Sequence, residues 1–138
     1  MNPKTVALQE RTHRFFVRVS AFCESLPVNS TTASVTAQLT DSAGSTDSNY
    51  RAACRARSTS EFISKVAVAA EEADESKGWL LALQARSYGN ADETKALIQE
   101  ANELTAIFTA SHKTARKRQQ AERASIEEAK RLRNPRGR

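Results

Sequence analysis

The sequence predicts an all-α protein, an antiparallel up-down-up-down four-helix bundle with an extended basic C-terminal helix or tail. Three observations indicate this fold. Apolar residues recur at steps of three and four along most of the chain. The 138 residues include only four glycines and three prolines, too few for a sandwich or barrel of many short strands. Helix-capping signals also divide the chain into four helical segments.

The first helix is predicted from about Pro3 to Leu26. Asn2 precedes it as an N-cap, and proline suits the first helical position because the N–H it lacks has no intrahelical partner there. Pro27 ends the helix. The residues at helical spacing form one apolar face, which comprises Leu8, Thr12, Phe15, Phe16, Val19, Phe22, Cys23 and Leu26.

The second helix begins after a cap at Asn29, Ser30 or Thr31. Small residues around Gly44 predict a closely packed helix, at a cost of up to about 1 kcal/mol of helix propensity for that glycine. Its predicted inner face is Val35, Leu39, Ser42 or Ala43, Thr46, Tyr50, Ala53 and Arg57.

The third helix begins at the capping box Ser58-Thr59-Ser60-Glu61, in which the serine hydroxyl accepts the Glu61 amide and the carboxylate reaches back. It is predicted to end at Ser87-Tyr88-Gly89, with Gly89 in the left-handed conformation. Its inner face is Phe62, Val66, Ala69, Ala70, Ala73 and Leu80.

The fourth helix is capped by Asn90 and has no breaker before Asn134-Pro135. Its predicted stripe is Leu97, Ala101, Leu104, Phe108 and Ser111 or His112. A helix from Ala91 to Leu132 is about 60 Å long, against roughly 37 Å for the others. Beyond Ala115 the only large apolar residues are Ile126 and Leu132, so we expect that part to be exposed, mobile or partner-bound. The predicted domains are therefore a bundle over residues 1–115 and a basic extension, partly helical or disordered, over residues 116–138.

The charge is concentrated at the C-terminal end. The net charge is +5, but residues 113–138 alone hold ten Lys or Arg and three acids, a net +7. Such a segment attracts polyanions, and no aromatic residue follows Phe108 to stack on bases. The predicted phosphate-contacting residues are Arg116, Lys117, Arg118, Arg123, Lys130, Arg131, Arg133, Arg136 and Arg138. A tail that only confers solubility is the alternative.

The sequence indicates no enzyme. His13 and His112 are isolated from each other, and Glu10 with His13 is the single Glu-x-x-His match, where a bundle di-metal site needs two. There is no Gly-rich phosphate loop. We expect no cofactor and no metal, and Cys23 and Cys54 to pack as small apolar groups. With no signal-peptide core or membrane span, a cytoplasmic location is expected.

The segment from Gln38 to Leu80 resembles the small four helix bundle protein family, which includes proteins encoded within intervening sequences of bacterial 23S rRNA genes. The matching positions include Gln38, Ala43, Asn49, Arg57, Ser58, Glu61, Phe62, Ile63, Glu75 and Leu80. Asp47 and Ala52 depart from the commoner pattern. The resemblance implies a left-handed bundle that forms homopentamers. It also implies a distant likeness in fold to the nucleic-acid-binding accessory protein of diversity-generating retroelements.

Six of the matching positions are called the family motif below: Asn49, Arg57, Ser58, Glu61, Phe62 and Glu75. Its polar residues have two interpretations. In the first, Asn49 and Arg57 cap helix ends and tie the turn together, and Glu75 pairs with a neighbouring arginine such as Arg14 or Arg18. In the second, they form a small polar site on the bundle surface. The acidic run at residues 71–75 is a solvated helix face or the partner of a basic segment on a second copy.

Several apolar residues lie off the inner faces and are candidates for a subunit interface: Val6, Val17, Ala21, Trp79 and Leu83. Two functions follow. One is a homo-oligomeric scaffold that binds RNA or DNA non-specifically through the basic tail. The alternative is a protein–protein adaptor for an enzyme encoded nearby, such as a reverse transcriptase, with no nucleic-acid contact.

Overall fold

The computed structural model describes residues 1–136 and contains four α-helices joined by short turns. They are α1 (Pro3–Glu24), α2 (Ser30–Cys54), α3 (Thr59–Ala85) and α4 (Ala91–Arg133). Each helix packs against the next and α4 returns to α1, whereas, within these residues, the backbones of the diagonal pairs do not approach closely. The predicted all-α four-helix bundle is confirmed.

All four helices begin at the predicted side-chain caps. The side-chain Oδ1 of Asn2 accepts the Lys4 amide at 2.8 Å, and the side-chain Oδ1 of Asn29 accepts two amides at 3.0 Å. Ser58 accepts the Glu61 amide at 3.1 Å, and Asn90 accepts an amide of its own first turn at 2.9 Å. Each cap satisfies backbone donors that have no intrahelical partner.

Three helices, α1, α2 and α3, end earlier than predicted. α1 ends at Glu24, although Leu26 is still buried, and α2 ends at Cys54, so Arg57 lies in the following turn instead of on the inner face. The apolar pattern continues past the last helical hydrogen bond because turn residues also pack on the core. The pattern therefore overestimates the length of these helices.

The C′ residue that follows the C-cap of α3 is Ser87 and not, as predicted, Gly89. Ser87 has φ 59° and its amide bonds to the Gln84 carbonyl, while the Tyr88 amide bonds to the Leu83 carbonyl, both at 3.0 Å. This pair of bonds is a Schellman motif. Gly89 also has a positive φ, 83°, in the turn before α4, and a Cβ there would lie 2.6 Å from the Phe22 ring.

The core runs along the bundle axis and draws large side chains from every helix. Leu83 belongs to it, so the prediction that this residue lies outside the intrachain packing was wrong; Trp79 is half-buried against the core. The largest fully buried side chains are Phe15, Phe108, Leu39, Leu80, Leu83, Leu97, Leu104, Val19 and Val66.

Small residues of α2 allow close helix approach, as the sequence predicts. A Cβ on Gly44 would lie 3.3 Å from the Phe16 ring, so glycine lets α1 pack against α2. On the other side, Ser42 and Ser76 share a buried hydrogen bond of 2.8 Å between α2 and α3. The Ser76 hydroxyl also lies 2.9 Å from the Glu72 carbonyl, which satisfies a polar group inside the core.

The seam between α1 and α4 is joined by ion pairs. Arg11 donates two hydrogen bonds to the Glu100 carboxylate, at 2.8 and 2.6 Å, and lies 3.7 Å from Glu103. Arg18 and Glu93 pair at 3.2 Å further along the seam. Since α1 makes its lesser backbone contact with α4, these charges help to hold it there. Among residues 1–136, no helix is long and apolar enough to cross a membrane.

Candidate nucleic-acid interface

The C-terminal part of α4 leaves the bundle as a cationic arm, residues 116–136. Gln119 joins the arm to the bundle, since its Nε2 donates to Ser60 Oγ at 2.9 Å. From Gln120 to Arg136 every side chain is exposed. The helical residues 120–133 therefore extend about 21 Å past this contact, and the expectation that this segment is exposed is met.

The cations of the arm differ in their partners. Arg116, Arg123 and Lys130 follow at steps of seven residues, or about two turns, and lie along one side of the helix. Lys130 lies 4.0 Å from Glu127, and Arg131 pairs with Glu128 at 2.7 Å. These exposed pairs are weak.

The basic residues nearest the bundle make no ion pair among residues 1–136. They are Arg116, Lys117, Arg118 and Arg123. Arg133 and Arg136 are exposed at the far end, and the predicted contact residue Arg138 lies outside the described residues. The unpaired positive charge is therefore densest where the arm leaves the bundle, at residues 116–118, which we call the root of the arm.

The turn between α2 and α3 lies at the root of the arm. Ser58 caps α3, and the Glu61 carboxylate accepts the backbone N–H of Arg57 at 3.1 Å. This arrangement ties the turn together and leaves the Arg57 side chain exposed. The backbone of Arg57 thus helps to tie this turn together, but Arg57 does not cap a helix, because Arg55 caps the end of α2 and Ser58 the start of α3. The Glu61 carboxylate reaches the amide of Arg57 and not, as the predicted capping box requires, that of Ser58.

Two grooves flank Phe62, the first apolar residue of α3. One, of about 620 Å³, is bordered by Phe62, Arg57 and Arg118 and has Tyr50 in its lining. The other, of about 470 Å³, is bordered by Phe62, Arg118 and Ile107. The structure therefore places a motif residue and an arm residue around the same aromatic ring.

The lining of the larger groove is anchored in the core. The Tyr50 ring lies 5.1 Å from the Phe108 ring, centroid to centroid, and is almost fully buried. Burial raises the pKa of Tyr50, as it does that of the Cys54 thiol beside it. A thiol with a raised pKa is a poor nucleophile at neutral pH, so this groove can hold a ligand but has no activated cysteine.

Two motif residues do not lie where the first interpretation placed them. Asn49 is inside α2, and its Nδ2 donates to the Ser45 carbonyl at 2.8 Å instead of capping a helix end. Glu75 is exposed and has no salt bridge to Arg14 or Arg18; its charge instead helps to raise the pKa of Glu72, for which burial is the larger cause. The motif therefore does not form one polar cluster.

The sequence interpretation missed a buried carboxylate. Asp47 Oδ2 accepts from Arg51 at 3.0 Å and lies 2.9 Å from His13 Nδ1. The Asp47 side chain is 7% exposed, against 54% for His13, and its Oδ1 has no partner among residues 1–136. Only the Asp47–Arg51 spacing of four was visible beforehand, because contact with His13 depends on how α1 and α2 pack.

The remaining titratable groups do not gather. His112 is half-buried on α4, and Cys23 is half-buried on α1 with a pKa raised by burial. Within residues 1–136, no three His, Cys, Asp or Glu side chains lie together as metal ligands.

Comparisons with known proteins found a family model and a solved structure that are similar to this chain. A model of the 23S rRNA-intervening sequence protein family matches residues 4–110. The crystal structure of a protein of unknown function from the S23 ribosomal protein family of Bacteroides thetaiotaomicron aligns with a TM-score of 0.73 at 24% identity, covering 80% of this chain and 98% of that one. That likeness shows the fold. No curated protein matches significantly.

Proposed function

The chain belongs to the 23S rRNA-intervening sequence protein family, and from this premise we propose that it binds nucleic acid non-specifically through the cationic arm. The side chains of the arm contact phosphate groups and do not read bases. The name of the family refers to 23S rRNA, which makes RNA the first ligand to test.

One observation carries this proposal. The arm is a helix with exposed cations on several sides, and from Gln120 to Arg136 none of its own side chains is buried. Packing supplies most of the stability of helices in proteins, so this segment gains little from the fold. Phosphates would neutralise the mutual repulsion of its cations and release counterions.

Self-association is the second part of the proposal, and a pentamer is the assembly we expect from the family resemblance. In its support, the outer side of α1 exposes Val6 and Val17, and Ala21 is exposed nearby. A second copy on this side would cover apolar surface that the bundle leaves in water. Several arms on one assembly would raise the apparent affinity through effective concentration.

The test measures RNA binding over a range of salt concentrations. Fluorescence anisotropy with a labelled RNA compares the wild type with an arm variant in which Arg116, Lys117 and Arg123 are replaced by Gln. A matched control removes the same charge from the exposed bundle positions Arg14, Arg86 and Lys95. If each arm cation contacts one phosphate, the arm variant lowers the slope of log K against log salt by about 2.

The outcomes separate the two functions. Loss of affinity and slope in the arm variant alone supports the proposal. Equal losses in the arm variant and the control, or no RNA or DNA binding by the wild type at low salt, overturn it and favour the protein–protein adaptor. Light scattering that gives a monomer mass would remove the self-association part alone.

A further inference from the structure

We infer that the two grooves around Phe62 at the root of the arm accept one unpaired nucleotide, with its base against the Phe62 ring and its phosphates between Arg57 and Arg118. This inference rests on the proposed function, which it deepens by making single-stranded RNA the preferred ligand. The phosphate contacts of the arm do not read bases and so supply no preference for an unpaired one.

The shape of the site supports this ligand. Phe62 and Arg118 border both grooves, and the volumes of about 620 and 470 Å³ fall in the range of small-molecule sites. The hydroxyls of Ser58, Thr59 and Ser111 line the larger groove beside apolar side chains. A site with an aromatic ring, apolar walls and a few hydroxyls matches a nucleobase with its ribose.

The charges at the rim support a phosphate. Arg57 and Arg118 belong to different elements, yet they border the same groove, and neither has an ion-pair partner in the described part of the chain. Each of these arginines has a carboxylate near it in sequence. Glu61 is engaged with the backbone amide of Arg57, and Glu122 lies one turn beyond Arg118 on the exposed arm.

The direction of the arm is fixed where it leaves the site. The hydrogen bond from Gln119 to Ser60 joins α4 to the first turn of α3, directly after Arg118. Tyr50 and Phe108 pack behind the groove as a ring pair. The site is therefore preformed, and the backbone of a strand that runs along the arm leads into it.

A duplex cannot use this site without unstacking a base, whereas a single strand can present one. Stacking of one base on an aromatic side chain corresponds to roughly fivefold to hundredfold in affinity. We therefore expect the wild type to bind single-stranded RNA at least about fivefold more tightly than a duplex of the same length at equal salt.

The experiment uses a twelve-nucleotide RNA with one central 2-aminopurine, single-stranded or annealed to its complement, and the full chain. Phe62→Leu keeps an apolar side chain on α3 but removes the ring. Ala115→Leu fills both grooves from α4, where leucine is a good helix former. Phe62→Trp keeps a stacking surface, and Phe16→Leu is the control on the far side of α2.

Support consists of quenched 2-aminopurine fluorescence with the wild type and Phe62→Trp, and loss of both quenching and single-strand preference in Phe62→Leu and Ala115→Leu. Duplex affinity and its salt slope should stay unchanged. If the two groove variants bind single strands as the wild type does, or if the wild type shows no preference while still binding duplex, the groove inference is wrong and the proposed function stands. If neither RNA binds, the groove inference is wrong, and the proposed function fails with it when DNA does not bind either.

Discussion

Removal of Arg11 should destabilise the fold more than removal of its partner Glu100. The Arg11 side chain is 32% exposed and has a second carboxylate, Glu103, at 3.7 Å. The Glu100 side chain is only 16% exposed, and Arg11 donates both of the side-chain hydrogen bonds that its carboxylate accepts. Arg11→Gln thus leaves a mostly buried carboxylate without its partner, whereas Glu100→Gln leaves a cation that keeps a neighbour and some solvent.

The expected magnitudes follow from burial. Exposed ion pairs contribute up to about 1 kcal/mol, and loss of one partner from a fully buried pair costs about 3–5 kcal/mol. The Arg11–Glu100 pair lies between these limits, so we expect Arg11→Gln to lower the free energy of unfolding by about 2 kcal/mol and Glu100→Gln by about 1 kcal/mol. Urea denaturation followed by circular dichroism at pH 7 measures both, with the double variant completing the cycle.

The Arg11–Glu100 pair also predicts that the free energy of unfolding falls in acid. The hydrogen bonds from Arg11 lower the pKa of Glu100 below its ordinary value of 4.5. A carboxyl with a depressed pKa in the folded state contributes stability that is present above the ordinary value and lost as the pH falls through the depressed one. The wild type should lose this contribution below about pH 4.5, and the free energy of unfolding of Arg11→Gln should fall less steeply there. Equal free energies of unfolding for the two single variants would contradict the first prediction. An equal loss of stability in acid for the wild type and Arg11→Gln would contradict the second.

Three further substitutions test the turns and the acidic face by thermal unfolding. Ser87→Gly should raise the free energy of unfolding by about 1 kcal/mol, because glycine adopts the left-handed φ of 59° without strain. Gly89→Ala should lower it by about 2 kcal/mol or more, since φ is 83° and the new Cβ would overlap Phe22. Glu72→Gln should stabilise at neutral pH, because burial and then the Glu75 charge raise the pKa of Glu72. A raised carboxyl pKa disfavours folding above it, so this gain should disappear under acid conditions.

Ser87→Ala serves as the control for Ser87→Gly, since alanine keeps the strain, and equal melting temperatures for the two would show that the backbone at this position is unstrained. A Gly89→Ala protein as stable as the wild type would show that the turn can move. A Glu72→Gln protein that gains as much at pH 3 as at pH 7 would exclude the electrostatic cause.

The sequence predicts helix starts better than helix ends. Caps such as Asn29 and Ser58 are local, because the side chain bonds to an amide two or three residues away. Ends depend on turn geometry, and a serine can take the position where glycine is expected when the two Schellman bonds form, as at Ser87.

Tertiary placement limits what the sequence predicts of the site. The charge of the arm follows from composition, and its exposure from the lack of apolar residues beyond Ala115. The grooves around Phe62 combine residues of α2, α3 and α4, and Asp47 meets His13 across 34 positions. Such pairings require the rotation of each helix, which a stripe as weak as that of α2 does not fix. The same limitation explains why Leu83 was assigned to the surface.

The uninterrupted course of α4 has a mechanical consequence. One rod of helix carries Leu97 and Phe108 inside the bundle and Arg123 outside it, without a flexible joint between them. A force applied at the outer end of α4 is transmitted along the helix, which pivots at the Gln119–Ser60 contact. A force on a ligand bound to the arm would thus act directly on the core, and mechanical resistance would depend on the packing of Phe108.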